Sequence, residues 1–380
     1  MLFTTPELDA RELQVLSDID EMKRSLRNQF YEPRRWYGSL RRLSIARAIQ
    51  GSNSIEGFDA SLEDAAAVVV GEEPLTADQE TRLALKGYRD AMTFVLQVAD
   101  DDELTYTSQV LKSMHFMMTS YDLASRPGRW RAGAVYVRND ETEEIVYEGP
   151  DIDLVPALMR DLAEELNGAC QNRLIQAAMA HLNLVMIHPF RDGNGRMARC
   201  LQSLVLARGR VLAPVFMSIE EYLGRNTQAY YDVLGEVGHG SWHPANDARP
   251  WIRFTLTAHL RQARTMLRRV RETERLWREI DRLRETASLA ERVMPLLFDA
   301  ASGLRVRNAT YRASLNDFGE EAISEQTASR DLQKLVEVGL LRPVGEKRAR
   351  FYAGSPQLMQ LRRDIINSRD ERDESGPFAG

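Results

Sequence analysis

Residues 172–207 read NRLIQAAMAHLNLVMIHPFRDGNGRMARCLQSLVLA. From Asn172 to Ile187 almost no charge falls on any face, and a helix that is apolar all round belongs at the centre of a bundle. A second apolar helix is expected over Met197–Ala207. Between the two, at His188–Asn194, Pro189 and Gly193 interrupt the pattern, with Gly195 close behind. Two central helices joined by a polar, glycine-bearing loop therefore predict a mainly α fold organised around that loop.

Outward from this pair the signal stays helical. Charged amphipathic patterns cover 8–28 and 38–50. Asp59 or Ser61 can cap a helix through about Val70, and another runs over Ala77–Ala99. Thr107 can cap one through Met118. Asp151 or Asp153, with Pro156 in the first turn, opens one through Leu166. Gly133–Tyr147 breaks the rhythm: Val135-Tyr136-Val137, a polar tip at Asn139–Glu144 and Ile145-Val146-Tyr147 predict a β-hairpin. After about Trp251 a charged helix to roughly Arg284 reads as a connector. Residues 287–360 form a compact unit. Its last helix, Ser324–Val338, is followed by strands Leu340–Val344 and Ala349–Ala353, joined by Gly345–Arg348. The tail from Arg369 is polar and expected to be disordered.

With 380 residues, 43% hydrophobic and 28% charged, the chain has material for two or three globular domains. A net charge of −6 excludes a polycation that coats nucleic acid, so such a contact would need a local basic patch. Two cysteines, Cys170 and Cys200, both expected in helices, lack metal or redox spacing and point to a reducing, cytoplasmic compartment. The first residues carry no signal-peptide pattern. The most apolar stretch, Leu174–Ile187, is too short to span a bilayer.

The loop holds the chemistry. A helix N-terminus offers unpaired amides and a positive dipole end. Gly193 and Gly195 let an anion approach the backbone, which makes a phosphate nest with Asn194 between them. Arg196 and Arg199 share a face of the following helix and can clamp further phosphate oxygens. Asp192 is an oxygen ligand suited to Mg²⁺ on a polyphosphate. His188 can take a proton near neutral pH. Together these groups describe phosphoryl or nucleotidyl transfer. No GxxxxGK[ST] phosphate loop occurs in the chain.

The run His188-Pro189-Phe190-Arg191-Asp192-Gly193-Asn194-Gly195-Arg196-Met197-Ala198-Arg199 resembles the Fic motif, HxFx(D/E)GNGRxxR, at every fixed position. The resemblance implies a Fic-type helical bundle that moves AMP from ATP onto a protein hydroxyl. In that reading His188 is the base and Asp192 the Mg²⁺ ligand. Gly193, Asn194 and Gly195 bind phosphates through their backbone, Arg196 and Arg199 clamp the β/γ end, and Phe190 packs inward. The hairpin 133–147 is similar to the family's flap, where an extended target segment docks by strand addition. Asn226 and Tyr230 resemble the segment bordering base and ribose, with Tyr230 expected to stack on adenine. Ser52-Asn53-Ser54-Ile55-Glu56-Gly57 matches the family's inhibitory motif (S/T)xxxE(G/N). It implies that Glu56 pairs with Arg199 while Ser52 holds the helix.

Residues 287–360 resemble a winged helix with Thr327, Ser329, Arg330, Lys334 and the wing cluster Lys347, Arg348 and Arg350 as contact candidates. Its partner is either DNA or a protein. The expected division is an N-terminal helical region over 1–100, a catalytic core over 101–250, a connector over 251–286, the winged helix over 287–360 and a polar tail over 361–380. The leading function is an adenylyltransferase autoinhibited by Glu56, with ATP and Mg²⁺ and with the chain itself among its targets. Other readings are transfer of another group such as UMP, AMP removal at the same site, and a nucleotide-sensing DNA-binding regulator. No membrane contact is expected, and homo-oligomerisation is left open.

Overall fold

The structure, a computed structural model, describes all residues except 31–33, 139–142, 210–215, 217, 318–321, 347–349, 370–375 and 379–380. The first elements are α1 (Ala10–Phe30), α2 (Tyr37–Ser54), α3 (Leu62–Val69), α4 (Gln79–Val98) and α5 (Ser108–Thr119). A hairpin of β1 (Tyr136–Arg138) and β2 (Ile145–Glu148) follows, then α6 (Val155–Asn167), α7 (Arg173–Ile187), α8 (Asn194–Ala207), α9 (Glu220–Arg225) and α10 (Thr227–Gly238). The chain continues through α11 (Arg249–Thr286), α12 (Met294–Ala301), α13 (Asn308–Asp317) and α14 (Glu325–Glu337). It ends with β3 (Leu341–Val344), β4 (Phe351–Gly354) and α15 (Pro356–Asn367). Two predicted caps are present: Ser61 and Thr107 each accept an amide of the following first turn. Asp78, Ser324 and Asn172 cap α4, α14 and α7 in the same way, whereas α6, with Leu154 at its N-cap, has no side-chain cap from Asp151 or Asp153.

Helices α7 and α8 lie side by side in the main core, buried on nearly every face. The two buried polar residues of α7 both have partners. Asn183 exchanges hydrogen bonds with the Phe3 backbone (2.8 and 3.1 Å), which ties the N-terminus to the central helix. His181 donates from Nδ1 to Gln202 (2.6 Å) and accepts from the Tyr230 hydroxyl (2.9 Å). Burial, helped by the charge of Arg199, holds the His181 pKa down to about 3.

Helix α11 is more than a connector. Trp251 at its start is fully buried and donates from its indole to Ala178 O on α7 (2.8 Å). Arg249 and Arg253 grip the buried Glu12 of α1 (2.9 and 2.8 Å). Farther along, Leu276 and Ile280 enter a second apolar cluster with α12–α15 and the β3–β4 hairpin. Leu43 and Ala46 of α2 and Ala65 and Ala66 of α3 belong to this cluster too, so the C-terminal unit shares its core with the N-terminal helices. Arg42 to Asp299 (2.5 Å), Arg305 to Asp64 (3.4 Å) and Arg307 to Glu72 (3.3 Å) reinforce that seam. A narrow, solvent-open cleft lies there, and none of its lining residues comes from the 188–199 loop.

Three expectations need correction. Residues 361–367 belong to α15, whose Leu358 and Ile365 are buried, and do not form a tail. Beyond the helix Arg369 pairs with Glu272 (2.6 Å) and Phe378 lies under Arg253. Cys170 sits in the turn between α6 and α7, while Cys200 is buried in α8 as expected. The hairpin tip at 139–142, the wing residues Lys347 and Arg348, and Ala349 fall outside the described residues.

Helices α2 and α9 touch backbone to backbone. A Cβ on Gly51 would stand 2.5 Å from Glu220 O, and one on Gly224 would stand 2.7 Å from Gly51 O. Gly51→Ala should therefore lose about 1–3 kcal/mol of stability. Gly235→Ala, in open space on α10, should gain about 0.4–1 kcal/mol. Thermal or urea unfolding of the two variants reads the contrast. The pKa of His181 is lower in the folded chain, so the unfolded chain binds the extra proton between about pH 3 and its ordinary 6.5. Stability from this group is present above pH 6.5 and falls by about 1.4 kcal/mol per pH unit below it. In His181→Gln, urea midpoints between pH 7 and 4.5 should decline less steeply by that amount.

Candidate active site

The loop between α7 and α8 is shaped by its own sequence. Helix α7 ends at His188, whose φ is 50°. A left-handed histidine before Pro189 fits the steric bar that proline places on a helical predecessor. His188 Nδ1 lies 3.1 Å from Val185 O. A carbonyl can only accept, so Nδ1 carries the hydrogen and Nε2 keeps its lone pair. Burial keeps the His188 pKa below its ordinary value against the opposing pull of Glu56, so the ring is neutral at pH 7. The result is a base with a fixed tautomer.

The loop is then clasped twice. Phe190 N–H donates to Asn194 Oδ1 (2.9 Å) and Asn194 Nδ2 donates back to Phe190 O (3.0 Å). The Asn194 side chain thus closes the loop and leaves its amide for an anion. Phe190 is fully buried and stacks on His115 at 3.7 Å with the rings 3° from parallel. Gly128 N–H donates to His115 Nδ1 (2.9 Å), so Nε2–H donates to Asp192 O (3.0 Å). Burial lowers the His115 pKa to about 4, which keeps the neutral ring that this pairing needs. Arg131 braces the other side. Its guanidinium donates to His188 O (3.0 Å), Gly133 O (2.7 Å) and Pro150 O, and its amide to Pro189 O (2.8 Å).

Gly193 takes φ 74° as the N-cap of α8, and Met197 N–H, bonding to Gly193 O (2.9 Å), is the first amide drawn into the helix ladder there. The amides before it stand at the helix end as anion donors. Arg196 and Arg199, each 1% exposed, rise from the first two turns of α8. Arg196 contacts Asp192 (3.1 Å) and the Tyr121 hydroxyl (3.1 Å), with Phe58 against its guanidinium. Arg199 donates to Ser52 Oγ (2.8 Å), Ser52 O (2.9 Å) and Glu56 Oε1 (2.5 Å). Arg196 Nε and Arg199 Nη1 are buried with no hydrogen-bond partner.

Glu56 lies against the nest itself: a Cβ on Gly195 would come 2.3 Å from its Oε1. Burial works to raise its pKa, but Arg199 outweighs burial and the net shift is downward. Arg199 in turn is raised, because Glu56 overcomes the effect of its burial. Gly57 ends the motif at φ 81°, and the Tyr231 hydroxyl donates to Ile55 O (3.0 Å).

Asp192 is half exposed at the mouth of the nest, with a side-chain exposure of 52%. Among the described residues no group of three or more histidines, cysteines and carboxylates could hold a metal alone. One exposed carboxylate beside a phosphate nest nevertheless fits Mg²⁺, which takes one or two carboxylates and completes its shell with substrate phosphates and water.

Of the two downstream candidates, Asn226 is half buried and donates to Tyr222 O (2.8 Å). Tyr230 is 1% exposed and locked to His181, so it is a core residue with no face open to a base. The sequence reading missed three supporting residues: His115, Tyr121 and Arg131. Only spatial proximity singles them out.

Residues 105–206 match the family model described as "Fic/DOC family". The chain is 28% identical over 229 residues to "Protein adenylyltransferase Fic" of Nematostella vectensis, covering 54% of this chain and 45% of that protein. It is 36% identical over 101 residues to "Protein adenylyltransferase fic-1" of Caenorhabditis elegans, covering 25% and 17%. The chain thus spans less than half the length of these curated relatives. A Fic family protein from Desulfovibrio desulfuricans G20 superposes with a TM-score of 0.59 at 22% identity, over 93% of this chain and 99% of that one. Fic-1 (residues 134–508) from C. elegans superposes with a TM-score of 0.53 at 20% identity, over 67% and 72%. These likenesses extend the shared fold beyond the segment at 105–206 that matches the Fic/DOC family model.

Proposed function

We propose that this protein is an adenylyltransferase that moves AMP from ATP to a hydroxyl of a protein target and is held in check by Glu56. The observation that carries this reading is the site's composition: a neutral His188, a nest at Gly193–Gly195 and two buried arginines, with a carboxylate of the same chain seated on the nest. His188 Nε2 takes the proton of the target hydroxyl. The freed oxygen attacks the α-phosphorus of ATP, a P–O bond forms, and the bond to pyrophosphate breaks. The amides of 193–195, with Arg196 and Arg199, hold the phosphate oxygens. Asp192 would hold Mg²⁺, which supplies neutralising charge at the phosphates.

Glu56 opposes this reaction in two ways. It occupies Arg199, and its carboxylate stands where phosphate oxygens must approach Gly195. The hairpin offers a docking edge for the target. Tyr136, Val137 and Arg138 pair with Glu148, Tyr147 and Ile145, and the far side of β2 is taken by Ser241–Trp242. An extended target segment therefore adds along β1. Tyr147, whose hydroxyl donates to Met186 O (2.9 Å), anchors the hairpin to α7.

The C-terminal unit is read as a winged helix whose α14 favours a protein partner over DNA. Asn308 donates to Ser329 (2.9 Å), Lys334 donates to Ser288 O (3.2 Å), and Asp331 accepts from Arg292 and Tyr311. Arg330 is exposed, beside the exposed acids Glu325 and Glu337. A cytoplasmic location suits such a protein, and among the described residues no helix is long and apolar enough to cross a membrane.

Incubation of the wild type, Glu56→Gly and Glu56→Gly/His188→Ala with Mg²⁺ and α-³²P-ATP or γ-³²P-ATP tests the proposal. Self-labelling from the α-label alone should rise at least about tenfold in Glu56→Gly, since about 1.4 kcal/mol of relief suffices. It should vanish in the double variant. Labelling from γ-³²P-ATP would mean kinase chemistry, and equal α-labelling of wild type and Glu56→Gly would remove Glu56 as inhibitor.

A further inference from the structure

Six arginines gather where α2, α9, α11 and α15 meet: Arg47, Arg225, Arg268, Arg269, Arg362 and Arg369. Among the described ion pairs, the carboxylates that answer them are Glu221 and Glu272. Glu272 takes Arg369 through both oxygens (2.6 and 2.8 Å) and meets Arg268 at 3.6 Å. Glu221 takes Arg269 through both oxygens (2.7 and 2.6 Å) and Arg225 at 2.7 Å. A carboxylate has about four lone-pair sites, so little is left for Arg47, which stops 3.9 Å away.

Arg47 is the telling member. The residue is 9% exposed, and its Nη1 is buried with no hydrogen-bond partner. Burial, then the facing charge of Arg269, holds its pKa down to about 9, while Arg362 and Arg225 add to the repulsion. Arg362 is itself lowered, by burial first and then by Arg369. A buried charge without full pairing is costly, and here several like charges crowd it. Among the described ion pairs, Arg47, Arg225 and Arg269 all draw on one carboxylate, Glu221. Guanidinium groups match phosphate oxygens in geometry as well as charge.

We propose that this seam is a binding site for a small multivalent phosphate anion, held by Arg47, Arg225, Arg269 and Arg362. None of the four belongs to the 188–199 loop, so this site is separate from the residues of the transfer reaction. Helix α2 carries Arg47 in its middle and Ser52 near its end. On the reading of Glu56 as an inhibitor, an anion that ties α2 to α9 and α15 helps hold that glutamate in place.

The test is calorimetric titration of the full chain with pyrophosphate, and separately with orthophosphate, at low salt and without nucleotide or Mg²⁺. Arg225→Gln/Arg362→Gln removes two partly exposed charges, so the fold tolerates it, and circular dichroism verifies this. Pyrophosphate binding should weaken about tenfold in that variant and fall with added salt. Glu221→Gln removes the competing internal anion and should bind pyrophosphate several-fold more tightly, a gain that loss of folding cannot imitate. Orthophosphate should bind more weakly than pyrophosphate. Unchanged binding in Arg225→Gln/Arg362→Gln, or weaker binding in a folded Glu221→Gln, would overturn the site. Equal affinity for the two anions would overturn its multivalent character.

Discussion

A permanently charged guanidinium buried inside a central helix must be answered by something. Arg199 sits in α8 at 1% exposure, so water cannot answer it. Ser52 and Glu56 do, from the end of α2, with three hydrogen bonds. Much of the architecture serves to deliver them. The Gly51–Gly224 crossing lets α2 approach closely enough. The Tyr231 hydroxyl fixes the turn that follows. The C-terminal unit packs on the first half of the same helix through Leu43 and Ala46. The segment 52–57 and the central helix α8 are thus joined by one buried ion pair.

The base depends on a quieter set of constraints. His188 reaches its left-handed conformation because α7 must stop before Pro189. It stays there because Arg131 bonds the carbonyls of 188 and 189-adjacent segments, while Asn194 closes the turn on Phe190. His115 supports both the ring of Phe190 and the carbonyl of Asp192. None of these residues changes charge to do this work. His115 and Asn194 supply neutral hydrogen bonds and a flat packing surface, and Arg131 adds charged donors aimed at backbone carbonyls.

Much of this was legible in the sequence, for identifiable reasons. Residues 172–207 carry their own helical pattern and their own breakers, so the central pair and its loop could be read locally. The pairing of Glu56 with Arg199 became legible only through a motif, because 143 residues separate them. Tyr230 shows the limit. Its place beside Tyr231 and Asn226 suggested a ring facing nucleotide, but burial depends on which side of α10 meets α11, and local pattern does not fix that. The first half of α11 misled for a related reason. Its arginines look solvated in a one-dimensional reading, yet Arg249 and Arg253 fold over the buried Glu12 and cover the core with their stems.

The glycine-to-glycine contact between α2 and α9 also governs how the ion pair can open. With backbone against backbone at Gly51, the helix has no soft side-chain layer on which to slide or tilt. A displacement of even an ångström at that crossing would meet Glu220 O directly. Freedom begins only beyond Ser54, where the helix ends and Gly57 turns the chain back with a positive φ. Release of Arg199 is therefore a matter of one short turn swivelling on a fixed post. Such a movement is small in amplitude and local in extent, and Ile55 is the buried side chain that lies within it.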